Sequence, residues 1–174
     1  MRVLIVDDSP VLRILLRSVL EAAGFEVREA DSGEQALRVL VGYQPDIVTM
    51  DVHMPGMDGY ETTARILEKY ALPVVVLTAS ANAYAAATAM HALEAGALTV
   101  LEKPQGPGAA NFEERVQDLL STLRNMAQVR VRAVGTNTLR VASNGAALSR
   151  VRSTIKRWQL RLAEAGPRIN ALHD

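Results

Sequence analysis

At 174 residues the chain has room for one full domain and an appendage, but not for two complete enzyme domains. Its 49% hydrophobic and 22% charged residues describe an ordinary globular protein and exclude a disordered, collagen-like or coiled-coil chain, while the lack of cysteine excludes disulfides, thiolate metal sites and a cysteine nucleophile. The zero net charge hides a division: residues 1–124 hold 10 Lys and Arg against 17 Asp and Glu, a balance of −7, and residues 125–174 hold 9 against 2, a balance of +7.

Five repeats of a short β-type apolar run followed by a longer amphipathic stretch fill the first 126 residues. The expected strands are Val3–Val6, Glu26–Ala30, Ile47–Met50, Val74–Leu77 and Thr99–Leu101, and the expected helices are Pro10–Ala23, Gly33–Val41, Gly59–Tyr70, Ala83–Ala95 and Asn111–Met126. Pro10 suits a first helical turn, and Gly24, Gly42 and Gly96 suit helix C-caps. Strands one, three and four are nearly continuous apolar runs, as when helices cover both sheet faces. The pattern is (βα)5, which predicts an α/β fold with a doubly wound, five-stranded parallel sheet.

Met1–Val6 runs straight into Asp7 and Asp8, which leaves no stretch for a signal peptide, and the cytoplasm is the expected compartment. Tyr70–Leu93 carries no Asp, Glu, Lys or Arg, a length sufficient to span a bilayer. Pro73 and the polar Thr78–Asn82 stretch divide it, so a buried strand followed by a helix is the expectation.

In doubly wound sheets ligands bind beyond the carboxyl ends of the strands. Asp7 and Asp8 follow strand one, Asp51 closes strand three, Thr78 and Ala79 follow strand four, and Glu102, Lys103 and Pro104 follow strand five. Three carboxylates on one rim repel one another unless a cation sits among them. Oxygen ligands without His or Cys favour Mg2+, Lys103 supplies a point charge for a phosphoryl oxygen, and Thr78 supplies a hydroxyl. Metal, ammonium and hydroxyl around one carboxylate suit phosphoryl transfer to that carboxylate.

The motifs V-D-D-S, M-D-V-H-M-P-G-M-D-G, V-L-T-A and E-K-P resemble the receiver domain of two-component response regulators over residues 1–126. The resemblance implies that Asp51 is the phosphoacceptor, phosphorylated by a sensor histidine kinase. It further implies that Asp8 binds Mg2+ directly, Asp7 chiefly through water, and His53 through its backbone carbonyl. Thr78 is then the switch hydroxyl, Lys103 the phosphoryl contact, and the Lys103–Pro104 peptide cis; Pro55 and Gly59 shape the loop after Asp51. Within the family, the D-V-H-M-P-G-M-D-G, A-L-E-A-G-A and E-K-P-Q-G runs look most like the regulatory domain of chemotaxis protein-glutamate methylesterases. Only 48 residues follow Met126, with no glycine-rich serine loop, so methylesterase activity is not expected. Receivers commonly carry an aromatic residue three positions before the lysine, where this chain has Val100. Ala79 leaves the phosphoryl group accessible by the same analogy.

Haloacid dehalogenase-type phosphatases share an aspartyl nucleophile and Mg2+, but need a second acid two residues on, where His53 stands. No G-x-x-x-x-G-K-[ST] loop is present. Met50, Met54 and Met57 are expected to pack rather than bind a soft metal, and His91 to lie on a surface or face a partner.

Residues 127–174 read as a basic extension. Val129–Val134 and Thr138–Ala142 alternate about a Gly135–Asn137 turn, which suggests a short hairpin, with helical continuation before Gly135 as the alternative. Over about 146–165, Leu148, Val151, Ile155, Trp158 and Leu162 form an apolar seam flanked by Arg150, Arg152, Lys156, Arg157 and Arg161. Docking or homodimerisation ranks first for this helix, DNA association second, with membrane-surface contact or no function behind them. The expected output is switched protein–protein interaction, through the helix four to helix five face or through the tail.

Overall fold

The computed structural model describes residues 1–79, 83–132 and 140–142. Its elements are β1 (Arg2–Val6), α1 (Pro10–Ala22), β2 (Glu26–Ala30), α2 (Gly33–Gly42), β3 (Ile47–Asp51), α3 (Gly59–Tyr70), β4 (Val74–Thr78), α4 (Ala83–Glu94), β5 (Thr99–Glu102) and α5 (Phe112–Met126), then the short strands β6 (Arg130–Arg132) and β7 (Arg140–Ala142). Expected and observed boundaries of the first ten elements differ by no more than one residue. That residue matters at three strands. Asp51, Thr78 and Glu102 are the last residues of their strands, and the ladder fixes their backbones, with Asp51 opposite Leu77 and Thr78 opposite Glu102.

The five long strands form one parallel sheet in the order β2-β1-β3-β4-β5. Because successive side chains alternate faces, each apolar run serves two cores. Val3, Ile5, Ile47, Val75 and Leu77 meet Leu16 and Leu20 of α1 and Leu119 and Leu123 of α5. Leu4, Val6, Val48, Met50, Val74 and Val76 meet Ala36 and Leu40 of α2, Ile66 of α3, and Ala89 and Ala92 of α4. The uncharged Tyr70–Leu93 stretch resolves into the buried strand β4 and helix α4, and among the described residues no helix is long and apolar enough to cross a membrane.

Ser9, Ser32 and Asp58 cap α1, α2 and α3 by accepting from the backbone N–H groups of Leu12, Gln35 and Glu61. Gly24 and Gly96 follow their helices with φ of 83° and 101°, as expected of C-caps. Gly42 does not: it is the last residue of α2, and the chain leaves through an extended Tyr43 at φ −131°. The left-handed exit belongs instead to Ala71 after α3, at φ 50°. The Lys103–Pro104 peptide is trans, contrary to the expectation drawn from relatives; trans is the intrinsically favoured isomer of an X–Pro bond by about 0.5–1 kcal/mol.

β6 and β7 pair antiparallel, with Arg130 opposite Ala142, Val131 opposite Val141 and Arg132 opposite Arg140, so residues 130–132 are strand and not helix; the expected Gly135–Asn137 turn lies outside the described residues. Val129 and Val131 are buried in the same cluster as α5, and the packed body continues past Met126. The helix expected over 146–165, with Trp158, lies outside the described residues.

Candidate functional site

Strand order makes the site. The chain crosses from β1 through α1 to β2 on one side of the sheet centre, and from β3 through α3 to β4 on the other. The carboxyl ends of β1 and β3 are therefore adjacent and face a crevice between diverging connections. Asp7, Asp8 and Asp51 meet there, with one carboxylate oxygen of each within 4.8 Å of the others. Asp7 and Asp51 are buried and Asp8 is exposed.

Lys103 comes in from the end of β5. Its Nζ lies 2.8 Å from Asp7 Oδ2 and 2.9 Å from Asp51 Oδ1, with the side chain 13% exposed. The Lys103 N–H donates to the carbonyl of Thr78 at 2.8 Å, which ties the ends of β4 and β5 together. Thr78 is buried and Ala79 is exposed. The exposed His53 donates its backbone N–H to Asp51 Oδ1 at 3.3 Å.

Burial is the largest influence on Asp51 and raises its pKa above the ordinary carboxylate value; Lys103 opposes the rise and the Asp7 charge adds to it. Repulsion among carboxylates, the effect anticipated from sequence, is thus secondary to desolvation.

A shell of backbone contacts holds Asp7. Its N–H donates to the Ala30 carbonyl at 3.1 Å, Arg13 Nη1 donates to its carbonyl at 2.7 Å, and its Oδ1 accepts from Ser9 N–H at 2.9 Å. Arg13 is itself flanked by Glu29, 3.7 Å away. Sequence reasoning missed Arg13; the available signal was its place one turn into α1, on the helix face turned back toward Asp7. Below Asp51, Gly59 N–H donates to the Val52 carbonyl at 3.0 Å, and a Cβ at Gly59 would overlap the Asp51 carbonyl oxygen.

The donor set suits a hard divalent cation. All three groups are carboxylates, and among the described residues the buried Asp7 Oδ2 accepts no hydrogen bond, only the ion pair with Lys103. Met50 and Met54 pack in the core, as expected, and His91 is exposed, its ring 5.7 Å from that of Tyr60 at 88°. Val100 is buried in the second core.

The family described as Response regulator receiver domain matches residues 3–117. The chain belongs to this family. Among its relatives, this receiver is 53% identical over 132 residues to protein-glutamate methylesterase/protein-glutamine glutaminase 3 of Hahella chejuensis, covering 75% of this chain and 38% of that protein. It is 43% identical over 133 residues to protein-glutamate methylesterase/protein-glutamine glutaminase 1 of Syntrophus aciditrophicus, covering 75% and 37%. The chain thus spans under two fifths of the length of these curated relatives. In structure it is similar to the response regulator domain of Thermotoga maritima CheB, with a TM-score of 0.65 and 30% identity over 74% of this chain and 97% of that one. It is also similar to the Vibrio cholerae chemotaxis protein CheY4, with a TM-score of 0.59 and 29% identity over 72% and 97%. A receiver related to chemotaxis regulators is a component of two-component signal transduction.

Proposed function

We propose that Asp51 accepts a phosphoryl group from a phosphohistidine of a sensor histidine kinase in a Mg2+-dependent reaction, and that the phosphorylated receiver changes which proteins it binds. The observation that carries this reading is the buried Asp51 carboxylate, held 2.9 Å from the Lys103 ammonium and clustered with Asp7 and Asp8.

In the proposed step an Asp51 carboxylate oxygen attacks phosphorus, a P–O bond forms as the P–N bond breaks, and the imidazole leaves with the electron pair and takes a proton. Asp7, Asp8, Asp51 and the His53 carbonyl would hold Mg2+, which supplies charge neutralisation for the phosphoryl oxygens. Lys103 pairs with one of those oxygens, and Thr78 donates its hydroxyl to another. Asp51 is a usable nucleophile only when ionised, so Lys103 also has the task of countering the burial that favours its proton. The change of partners follows from the new charge at Asp51 biasing two arrangements of the surrounding loops.

We assign residues 1–126 a signalling role as the phosphoacceptor unit, with residues 127–174 as a basic extension and the cytoplasm as the compartment. The test is intact-mass analysis after acetyl phosphate and Mg2+. Wild type should gain one phosphoryl group, lost when EDTA replaces Mg2+, and Asp51→Asn should gain none. Equal phosphorylation of Asp51→Asn would sink the reading.

A further inference from the structure

Among the described residues β5 is an edge strand, paired with β4 alone, and its last residue, Glu102, stands opposite Thr78. The next residue is Lys103. Beyond it the chain passes through a loop with two prolines and two glycines, Pro104, Gly106, Pro107 and Gly108, before α5 begins at Phe112. The N–H···O bond from Lys103 to Thr78 restrains the start of that loop from the sheet side only.

The other side is restrained by an ion pair. Arg115 Nη2 lies 2.5 Å from Glu102 Oε2, with the guanidinium side chain 23% and the carboxylate side chain 12% exposed. Among the described residues Arg115 is the one cation at ion-pair distance from Glu102. Its position is unfavourable in two respects. It sits near the N-terminus of α5, where the helix dipole disfavours a cation, and among the described residues its Nε is buried without a hydrogen-bond partner, while Glu102 Oε2 meets the guanidinium as an ion pair and not as a hydrogen bond. What the arginine gains there is the contact with Glu102, the residue directly before the site lysine.

We propose that Glu102 and Arg115 are positioning residues whose ion pair clamps the end of β5 to α5 and so holds the Lys103 ammonium between Asp7 and Asp51. The proposal rests on the reading of Asp51 as phosphoacceptor. It has a consequence with two opposite signs. Lys103 occupies the space between Asp7 and Asp51, where it competes with a divalent cation for their charge, yet it is also the cation that meets a phosphoryl-like anion. Loosening the clamp therefore eases binding of Mg2+ and weakens binding of the anion. General loss of structure weakens both.

Calorimetry on the full chain separates these cases, with Mg2+ alone as one probe and beryllofluoride at saturating Mg2+ as the other. Arg115→Met and the isosteric Glu102→Gln should each bind beryllofluoride about tenfold more weakly, with Mg2+ bound as tightly as in wild type or more so. Arg115→Lys should recover part of the loss, and Lys103→Met should show the same opposed pattern in stronger form. Glu102→Gln carries the test alone if Arg115→Met does not fold. Wild-type beryllofluoride affinity in both clamp variants, or parallel loss of Mg2+ and beryllofluoride, overturns the clamp while leaving Asp51 as phosphoacceptor. Failure of wild type to bind beryllofluoride overturns that reading and the clamp with it.

Discussion

Gly59 lies directly beneath Asp51: a Cβ on Gly59 would overlap the Asp51 carbonyl oxygen and come within 2.8 Å of the carbonyl carbon. α3 can start so close to the end of β3 because Gly59 has no Cβ, and the Gly59 N–H donates to the Val52 carbonyl at 3.0 Å across the gap. Gly59→Ala must push the loop away from β3. The expected result is a loss of about 1–3 kcal/mol of stability together with slower phosphorylation by acetyl phosphate, measured by urea unfolding and intact mass.

The raised pKa of Asp51 sets a pH dependence for the metal-free protein. Between the ordinary value of 3.8 and the raised folded value, the folded state keeps a proton that the unfolded chain has lost. Stability therefore falls as pH rises through that window, and above it the full cost of the buried charge is present. Asp51→Asn should have a higher Tm than wild type at pH 7 in EDTA, and the gap should close as the pH falls toward 4. A gap that stays constant with pH would refute the assignment.

Mg2+ should stabilise the folded chain by relieving the crowded carboxylates. At a concentration one hundred times its Kd, the gain is about 2.7 kcal/mol, seen as a rise in Tm that EDTA reverses. Asp8→Asn, an exposed substitution with no packing consequence, should lose most of this gain while keeping the metal-free Tm close to wild type.

Val129 and Val131 belong to the core although they follow the last helix of the repeating pattern. Each buried valine contributes about 1.5–3 kcal/mol. A chain cut after Met126 should unfold at a lower urea concentration than one cut after Ala142, and Val131→Ser in the full chain should reproduce much of the difference.

Trp158 is the one tryptophan and stands in the basic extension. If the extension takes part in the switch, beryllofluoride with Mg2+ shifts its emission in wild type and not in Asp51→Ala. No shift in either, with phosphorylation of Asp51 established by mass, places the output on the receiver surface instead.

Most of the fold was legible because the central strands of a parallel sheet covered on both faces are apolar at nearly every position. Leu4 and Ile5, or Val75 and Val76, announce a strand and serve opposite cores at once. The site residues were legible for a related reason: Asp7, Asp51 and Lys103 interrupt those runs with charge at the same end of each unit. Gly42 was expected to cap α2 and does not, because helix exits depend on where the next segment must go, and a glycine at a helix end signals permission for a left-handed turn rather than the turn itself.

The sequence by itself therefore determined the (βα)5 repeat, which charged residues end the strands at the rim and the division between acidic body and basic extension, since periodicity and charge are local properties. Tertiary structure decided everything that depends on which strands are neighbours. The order β2-β1-β3-β4-β5 brings Asp7 beside Asp51 and puts Lys103 between them, at 2.8 and 2.9 Å. Burial then makes desolvation the chief influence on Asp51. The same packing turns Glu102 toward Arg115 and draws Val129 and Val131 into the core beneath α5. These contacts join residues far apart in the chain, through distances that no local pattern encodes.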